Sequence, residues 1–236
     1  MDRYAQFCPI AKASEILTRR WMPLVVRELL CGSSRFNEIH RGVPKMSRSL
    51  LVTRLRDLEH ASLLDRTMVG DNAHPEYHLT DAGAALRPVI QQMGEWGKRW
   101  VGAELSEDDL DAGLLMWDIQ RRIGQESVPD RRVVVYFHFP DAHRDYKDFW
   151  LLLEAGRADL CLKHPGYEEN VYIRADVETL TRVWLGDIGL RRAIKRDAVW
   201  IGGPKHLRQQ IPEWLGLSMF AGIPRSDAPE KDAHTS

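Results

Sequence analysis

Phosphate binding is the first chemistry that the charged side chains of this 236-residue sequence suggest. Between Arg19 and Arg56 there are nine Lys or Arg residues and only two acidic residues, Glu28 and Glu38. A solvated helix face normally mixes both signs, whereas a local excess of cations attracts the phosphates of nucleic acid. The whole chain has 33 basic and 34 acidic residues, a formal charge of −1. A uniformly basic coat is therefore excluded, and any nucleic-acid contact is expected to be local.

Short amphipathic helices are expected to hold this basic segment. Gly32 and Gly42 follow the second and third helices, where a glycine with a left-handed backbone commonly ends a helix. Pro44 then prevents continuation, and Ser47 is a favoured residue at the N-cap of the fourth helix. The predicted helices cover residues 9–17, 21–31, 35–41 and 48–60.

The fourth helix is the predicted reading element. Leu51, Leu55 and Leu58 recur at helical spacing and form a buried stripe. The opposite side is short, polar and basic, which suits contact with base edges in the major groove; an ordinary surface helix is the alternative. Arg54 lies nearer the leucines, where an ion pair with Asp57 is as good an expectation as a DNA contact. Arg54 is therefore not counted among the predicted DNA-binding residues. The predicted DNA-binding residues are Arg35, Ser47, Arg48, Ser49, Thr53 and Arg56.

A β-hairpin is predicted after the fourth helix. Residues 64–69 and 76–79 are rich in strand formers, and Gly70, Asp71 and Asn72 supply turn chemistry between them. Helices followed by a hairpin make a winged helix. The tip offers an acid and one titratable cation, His74, which disfavours insertion into a minor groove and leaves backbone contacts to phosphate open.

A long helix capped by Thr80 is predicted to run to about Val101, with a kink near Pro88. One side of it is apolar and includes two tryptophans. A small DNA-binding domain lacks the core to cover such a stripe, so a two-fold homodimer is expected, with packing onto a second domain as the alternative. The predicted interface residues are Leu86, Ile90, Met93, Trp96 and Trp100.

The pattern changes after residue 104. A helix at 108–123 and four strands are followed by an Asp176-capped helix, a short helix at 190–196, a strand at 199–201 and a last helix with Pro204 in its first turn. The predicted class is α+β, with a winged helix-turn-helix domain at 1–104, a second α+β domain at 105–224 and a flexible tail at 225–236. The four strands are predicted at 132–139, 149–155, 158–163 and 171–175.

Signatures of catalysis or metal binding are scarce. Cys8, Cys31 and Cys161 form no C-x-x-C pair, so reduced thiols are expected. His138 and His143 flank a predicted strand end, which favours a loop over a metal site. Neither an enzyme, a cofactor nor a metal is expected. The N-terminus does not resemble a signal peptide and no apolar stretch is long enough for a membrane span, so a cytoplasmic protein without membrane contact is expected.

An ordered series of short motifs runs through nearly all of residues 7–102. The series comprises Cys8-Pro9-Ile10, Arg20-Trp21, Arg27-Glu28-Leu29-Leu30, Arg35-Phe36-Asn37-Glu38-Ile39, Ser47-x-x-Leu50-Leu51-x-x-Arg54-Leu55-x-x-Leu58, Glu76-Tyr77-x-Leu79-Thr80-x-x-Gly83 and Trp96-Gly97. It resembles the HxlR-type winged-helix transcription regulators. The resemblance implies a bacterial DNA-binding dimer that represses or activates genes. It also implies a possible thiol sensor at Cys8, where the helix dipole favours a thiolate; a small buried hydrophobe is the alternative.

The order of elements from about Glu107 onward resembles the sterol carrier protein type two domain. Its closing segment is similar in Trp214-Leu215-Gly216-Leu217-Ser218-x-Phe220-Ala221. The resemblance implies an apolar tunnel for a fatty-acyl or sterol-like molecule; a core filled by the domain's own aromatic side chains is the alternative. The predicted ligand-binding residues are Phe137, Phe149, Leu151, Leu160, Ile173, Leu180, Trp184 and Ile201.

The sequence thus predicts a dimeric regulator that reads a pseudo-palindromic operator and responds to an apolar or amphipathic small molecule. Two other readings stay open. One is a thiol-redox regulator that switches through Cys8. The other is a lipid-binding carrier module without operator specificity.

Overall fold

The protein is described by a computed structural model that covers residues 4–70, 74–101 and 104–226. These residues divide into two compact units, one up to Met93 and one from Gly94 onward. The predicted wing tip at 71–73 and most of the predicted tail lie outside the described residues.

The first unit is a small helical bundle followed by a hairpin. Strands β1 and β2 pair antiparallel, with Leu64 opposite Leu79. A single antiparallel β-bridge pairs Arg35, just before α3, with Glu76 on β2. The hairpin is therefore tied to the loop before α3. The elements are α1 (Pro9–Leu17), α2 (Met22–Leu30), α3 (Phe36–Arg41), α4 (Arg48–His60), β1 (Leu64–Val69), β2 (His74–Leu79) and α5 (Asp81–Ala84).

Two glycines end helices in this unit for different reasons. Gly32, after α2, has φ +96°, as predicted for a left-handed helix end. Gly42, after α3, has φ −78°, so the predicted left-handed conformation is wrong. Glycine is needed at 42 for space, since a Cβ there would lie 1.9 Å from the carboxyl carbon of Glu28.

The predicted long helix from Thr80 is two helices. Thr80 caps α5 by accepting a hydrogen bond from the Gly83 amide at 3.2 Å. A Cβ at Gly83 would lie 2.1 Å from the Leu63 carbonyl oxygen, so α5 packs closely on the connection between α4 and β1. The chain then turns, and α6 (Arg87–Trp100) begins with Pro88 in its first turn. The proline thus begins a new helix instead of kinking one, because its missing N–H costs nothing there.

The second unit is an α+β fold built on a five-stranded sheet of order β5-β4-β3-β6-β7. Strands β3 and β6 are parallel and the other neighbours are antiparallel. The elements are α7 (Ala112–Arg122), β3 (Val133–His138), β4 (Asp148–Glu154), β5 (Arg157–Cys161), β6 (Val171–Ala175), α8 (Val177–Trp184), α9 (Leu190–Lys195), β7 (Val199–Gly202), α10 (Lys205–Arg208) and α11 (Ile211–Trp214).

The predicted last helix is likewise two short ones, α10 and α11. Pro204 is the N-cap residue of α10 and does not lie in its first turn. Asp176 caps α8 as predicted, accepting a hydrogen bond from the Thr179 amide at 2.6 Å. Gly186 follows α8 with φ +77°.

The boundary between the units falls inside α6, earlier than the predicted boundary at residue 104. The reason is that the second half of α6 packs into the second unit. Gly94 leaves room for the ring of Phe220, and Lys98 forms an ion pair with Asp187. Arg225, at the start of the predicted tail, also pairs with Asp187 at 3.0 Å and is therefore held by the fold.

Candidate nucleic-acid interface

Helix α4 is held in place by its buried leucines and by its cap. Leu51, Leu55 and Leu58 are at most 2% exposed, so this face lies in the core of the first unit. The Ser47 hydroxyl accepts a hydrogen bond from the Leu50 amide at 3.3 Å. The opposite face is solvent-exposed. All the exposed positions that the sequence predicts for DNA contact on this helix are brought together there, namely Ser47, Arg48, Ser49, Thr53 and Arg56.

Arg48, at the first position of α4, is oriented by α3. Its Nη1 donates to Oδ1 of Asn37 at 3.2 Å, and its guanidinium carbon lies 5.5 Å from the centre of the Phe36 ring. A guanidinium held by one hydrogen bond and one aromatic ring has a restricted orientation, and its other N–H groups can still donate to a ligand. Arg48 is therefore preoriented at the N-terminal end of the helix.

The other exposed side chains of α4 are less restrained. Thr53 donates its hydroxyl to the Ser49 carbonyl at 3.0 Å, and the hydroxyls of Ser47 and Ser49 are 3.3 Å apart. Arg56 has no hydrogen bond, ion pair or ring contact among the described residues. Its charge is therefore available to an external anion.

Arg54 is used inside the unit. Its Nη1 pairs with Asp57 at 3.1 Å, which confirms the expected ion pair, and its Nε donates to the Arg20 carbonyl at 3.1 Å. Arg19 also pairs with Asp57, at 2.9 Å. This cluster ties α4 to the turn between α1 and α2. The Arg19 and Arg20 contacts join distant parts of the chain and have no signal in local spacing.

Arg35 lies at the start of α3 with its side chain exposed. Its Nε donates to Glu76 Oε1 on β2 at 3.2 Å, so its charge is partly committed to the hairpin. The Glu38 carboxylate accepts from the backbone amides of Ser34 and Arg35, at 3.1 and 3.0 Å. The loop before α3 is thus fixed to the wing.

Arg66 on β1 is a cation that sequence reasoning missed. It is exposed and has no hydrogen bond, ion pair or ring contact among the described residues. Its position opposite Tyr77 places it on the strand of the wing and not at the tip. A wing without arginine at its tip therefore still offers one free guanidinium from its strand.

Helix α6 carries an exposed apolar stripe. Val89, Met93, Trp96 and Trp100 recur at helical spacing and are between 43% and 62% exposed. Leu86 and Ile90 lie half-buried against the core of the first unit. The predicted interface set is thus divided between an exposed stripe and a packed side. The sequence could not separate them because all of these residues lie on the one apolar side of the helix.

The eight predicted ligand-binding residues form part of a packed core. Five of them are at most 2% exposed, namely Phe137, Phe149, Leu151, Ile173 and Leu180. The other three, Leu160, Trp184 and Ile201, lie half-buried against this core. Two surface clefts of this unit, of about 710 and 610 Å³, are lined by other residues.

The cysteines and the histidines form no metal centre among the described residues. Cys8 lies half-buried at the N-cap of α1, without a side-chain capping bond. Cys31 is exposed and Cys161 is half-buried, both as free thiols. No described helix is long and apolar enough to cross a membrane.

A helical bundle with a capped, exposed basic helix and a following hairpin defines a winged helix-turn-helix unit. Comparison with known proteins agrees, because the profile of the HxlR-like helix-turn-helix family matches residues 16–105. The chain is 37% identical over 99 residues to YvaP, an uncharacterized HTH-type transcriptional regulator of Bacillus subtilis, across 41% of this chain and 92% of that protein. The chain belongs to the HxlR-like helix-turn-helix family of transcriptional regulators.

Other relatives are similar over stretches of comparable length. The HTH-type transcriptional regulator YodB of Bacillus subtilis is 33% identical over 95 residues, 39% of this chain and 85% of that protein. A solved structure of the reduced form of YodB covers 39% of this chain and 93% of its own, with 32% identity and a TM-score of 0.35. The residues that the family profile matches span most of the first unit and the start of the second.

Proposed function

We propose that this protein is a dimeric transcriptional regulator that reads a pseudo-palindromic operator through α4. The observation that carries the proposal is the exposed face of α4, where Arg48 and Ser49 at its N-terminal end, with Thr53 and Arg56 further along, lie opposite a fully buried leucine stripe. Side chains at this end of a recognition helix reach base edges in the major groove. Arg35 and Arg66 add cations near the backbone of the same duplex.

The dimer would form through the exposed stripe of α6. An exposed apolar stripe with two tryptophans is costly in water and is suited to a two-fold, self-complementary interface. Phe7 and Ile10 beside the start of α1 are also more than 75% exposed and belong to the same class of unpartnered apolar side chain. A dimer would set the spacing of the two half-sites.

The second unit would be a sterol-carrier-like domain that senses a small molecule. Its order of helix, strands, capped helix, short helix, strand and terminal helices supports this relationship. A ligand in the predicted apolar interior must open a packed core, because Phe149, Leu151 and Leu180 are fully buried. The effector could change the separation of the recognition helices only through different affinities for the two arrangements.

Selection of bound duplexes from random DNA tests the operator proposal. We expect a palindrome to be enriched, and Arg48→Ala or Arg56→Ala to lose about 1–3 kcal/mol of binding with relaxed preference at one half-site position. Lys12→Ala, on exposed α1, is the matched control. Absence of an enriched palindrome would instead favour a carrier module, and unchanged affinity in both α4 variants would remove this helix from the proposal.

A thiol switch at Cys8 is the second candidate. The half-buried thiol at the start of α1 supports it, since a helix N-terminus favours a thiolate. Titration of operator binding with diamide in the absence of any effector tests it, with Cys8→Ser as the variant. Loss of DNA binding in the wild type but not in Cys8→Ser would support the switch.

A further inference from the structure

The sheet of the second unit has one face in the hydrophobic core and another face that carries aromatic side chains. Trp150, Tyr136 and Tyr172 occupy neighbouring register positions on β4, β3 and β6. The centre of the Tyr136 ring lies 5.3 Å from that of Trp150 and 6.0 Å from that of Tyr172. These rings form a continuous row across three adjacent strands.

Trp200 extends the aromatic row to β7. Tyr172 is opposite Gly202, and a Cβ at Gly202 would lie 2.5 Å from the Trp200 ring. The Trp200 indole therefore lies over Gly202, in space that a larger residue at position 202 would fill. It is nevertheless 58% exposed. An exposed indole seated in this way presents a flat stacking surface at the end of the row.

Arg174 lies beside this surface and has no partner within the part of the chain that the structure describes. It is directly opposite Trp200 in the antiparallel β6–β7 pair, where facing side chains are about 5 Å apart at Cβ. Arg174 is exposed and makes no hydrogen bond, ion pair or ring contact among the described residues. Both side chains line a cleft of about 610 Å³. A free guanidinium thus lies next to an exposed indole.

Asp148, two strands away from Arg174 in the same row of the sheet, is already compensated. Asp148 Oδ1 accepts from the Tyr136 hydroxyl at 2.6 Å and lies 2.8 Å from His138 Nδ1. Burial raises the pKa of Asp148, but the hydrogen bonds from Tyr136 and His138 outweigh it and hold the pKa below its ordinary value. The Asp148 carboxylate is therefore already engaged by two hydrogen-bond partners. His138 on β3 lies between Asp148 on β4 and Arg174 on β6 in the same row of the sheet.

Basic side chains around the cleft outnumber the two acids that line it, Asp176 and Asp197. Asp176 accepts hydrogen bonds from the amide and hydroxyl of Thr179. Helix α9, which packs near β7, carries an exposed face of cations without ion pairs among the described residues. Like charges four residues apart on a helix cost stability, so this face suits a negative partner. These cations are Arg191, Arg192 and Lys195 in α9 and Arg196 at its C-cap.

We propose that this face of the sheet binds a planar aromatic carboxylate, with the ring on Trp200 and the carboxylate on Arg174. The guanidinium fork matches a carboxylate in a bidentate pair, and the indole supplies a large rigid surface for an aromatic ring. This site lies on the opposite face of the sheet from the predicted apolar interior.

The proposal does not rest on operator binding, because the ligand is tested on the full chain without DNA. Isothermal titration with 2-naphthoate, with the neutral 2-naphthylmethanol and with laurate separates the possible ligand classes. We expect naphthoate to bind about tenfold or more tightly than the alcohol, since only the acid can pair with Arg174. Laurate is expected to bind weakly, since it has no ring to stack.

Variants locate the site. Arg174→Gln should reduce naphthoate affinity about tenfold and leave the alcohol unchanged, while Trp200→Ala should weaken both. Arg157→Gln, the same charge loss at an exposed position on β5 at the other edge of the sheet, should leave naphthoate affinity within about twofold, because screening weakens exposed charges at a distance. Equal unfolding curves for the variants show that the fold is intact. The proposal is overturned if the wild-type protein fails to bind naphthoate at millimolar concentration, or if it binds the acid and the alcohol equally well. Unchanged naphthoate binding in Arg174→Gln also overturns it, as does a preference for laurate that neither variant alters.

Discussion

The carboxylate of Glu28 occupies the space that a side chain at Gly42 would need. Glu28 is fully buried and its Oε1 accepts from Nη2 of Arg27 at 2.6 Å, while the same Nη2 donates to the Gly42 carbonyl at 3.0 Å. Helices α2 and α3 are therefore joined through one buried ion pair and one glycine. Because α3 orients Arg48 through Asn37, this junction also supports the proposed reading helix.

Replacing Gly42 by alanine should destabilise the first unit. The new Cβ would overlap the Glu28 carboxylate and force a buried, paired charge to move, for which a cost of about 1–3 kcal/mol is expected. The free energy of unfolding in urea measures it. Gly97→Ala is the control, since a Cβ at Gly97 meets nothing within 4 Å and alanine favours the helix. Equal stability of the two variants would contradict the account of the junction.

Replacing Arg35 by glutamine should weaken binding to all duplexes by about the same factor. Arg35 is exposed at the wing and is expected to contact phosphate, which carries no sequence information. The slope of log K against log salt should fall by about one unit. Electrophoretic mobility shifts with an operator and a random duplex at several salt concentrations measure both effects. A loss confined to the operator would make Arg35 a base-reading residue.

Replacing Trp96 by glutamate should yield folded monomers. Trp96 is 62% exposed, so the change leaves the core of each unit intact but places a charge in the proposed two-fold seam. Arg99→Glu introduces the same acid on exposed α6 away from the apolar stripe and should stay dimeric. Sedimentation velocity distinguishes the two. Ile90→Glu is less informative, because Ile90 packs against the core of its own unit. A dimeric Trp96→Glu variant would place the seam elsewhere.

The ion pairs of Asp187 should make the free energy of unfolding depend on pH. Burial raises the pKa of Asp187, but hydrogen bonds from Arg225 and Lys98 outweigh it and hold the pKa below its ordinary value. A lowered folded-state pKa means that the stabilisation is complete above the ordinary carboxyl pKa of about 4 and is lost as pH falls through the folded value.

Asp187→Asn tests this dependence. At pH 7 it should cost on the order of 3 kcal/mol, because the side chain of Lys98 is only 6% exposed and would lose its anionic partner. The difference from wild type should shrink as pH falls below about 4. Asp159→Asn, at an exposed position on β5, should change little at any pH. Thermal unfolding between pH 2.5 and 7 measures the series, and a difference that does not vary with pH would contradict the role of the charge.

The sequence determined those features that depend on local spacing. Leucines at helical spacing and Ser47 place α4 and its buried face, and Asp176 places α8, because capping and amphipathicity act within one or two turns. The ordered motifs of the first half were sufficient to indicate the family.

Only the tertiary structure decided which apolar and charged side chains are used internally. Arg54 pairs with Asp57 and also contacts the Arg20 carbonyl, whereas Arg56, the same residue type two positions further along α4, has no partner among the described residues. Trp200 is exposed and Trp214 is buried for the same reason: burial depends on which strands and helices meet, and residue type alone does not determine it. Gly42 makes the point most directly, since the sequence indicates a helix end there but the space for a glycine is set by Glu28, on another helix.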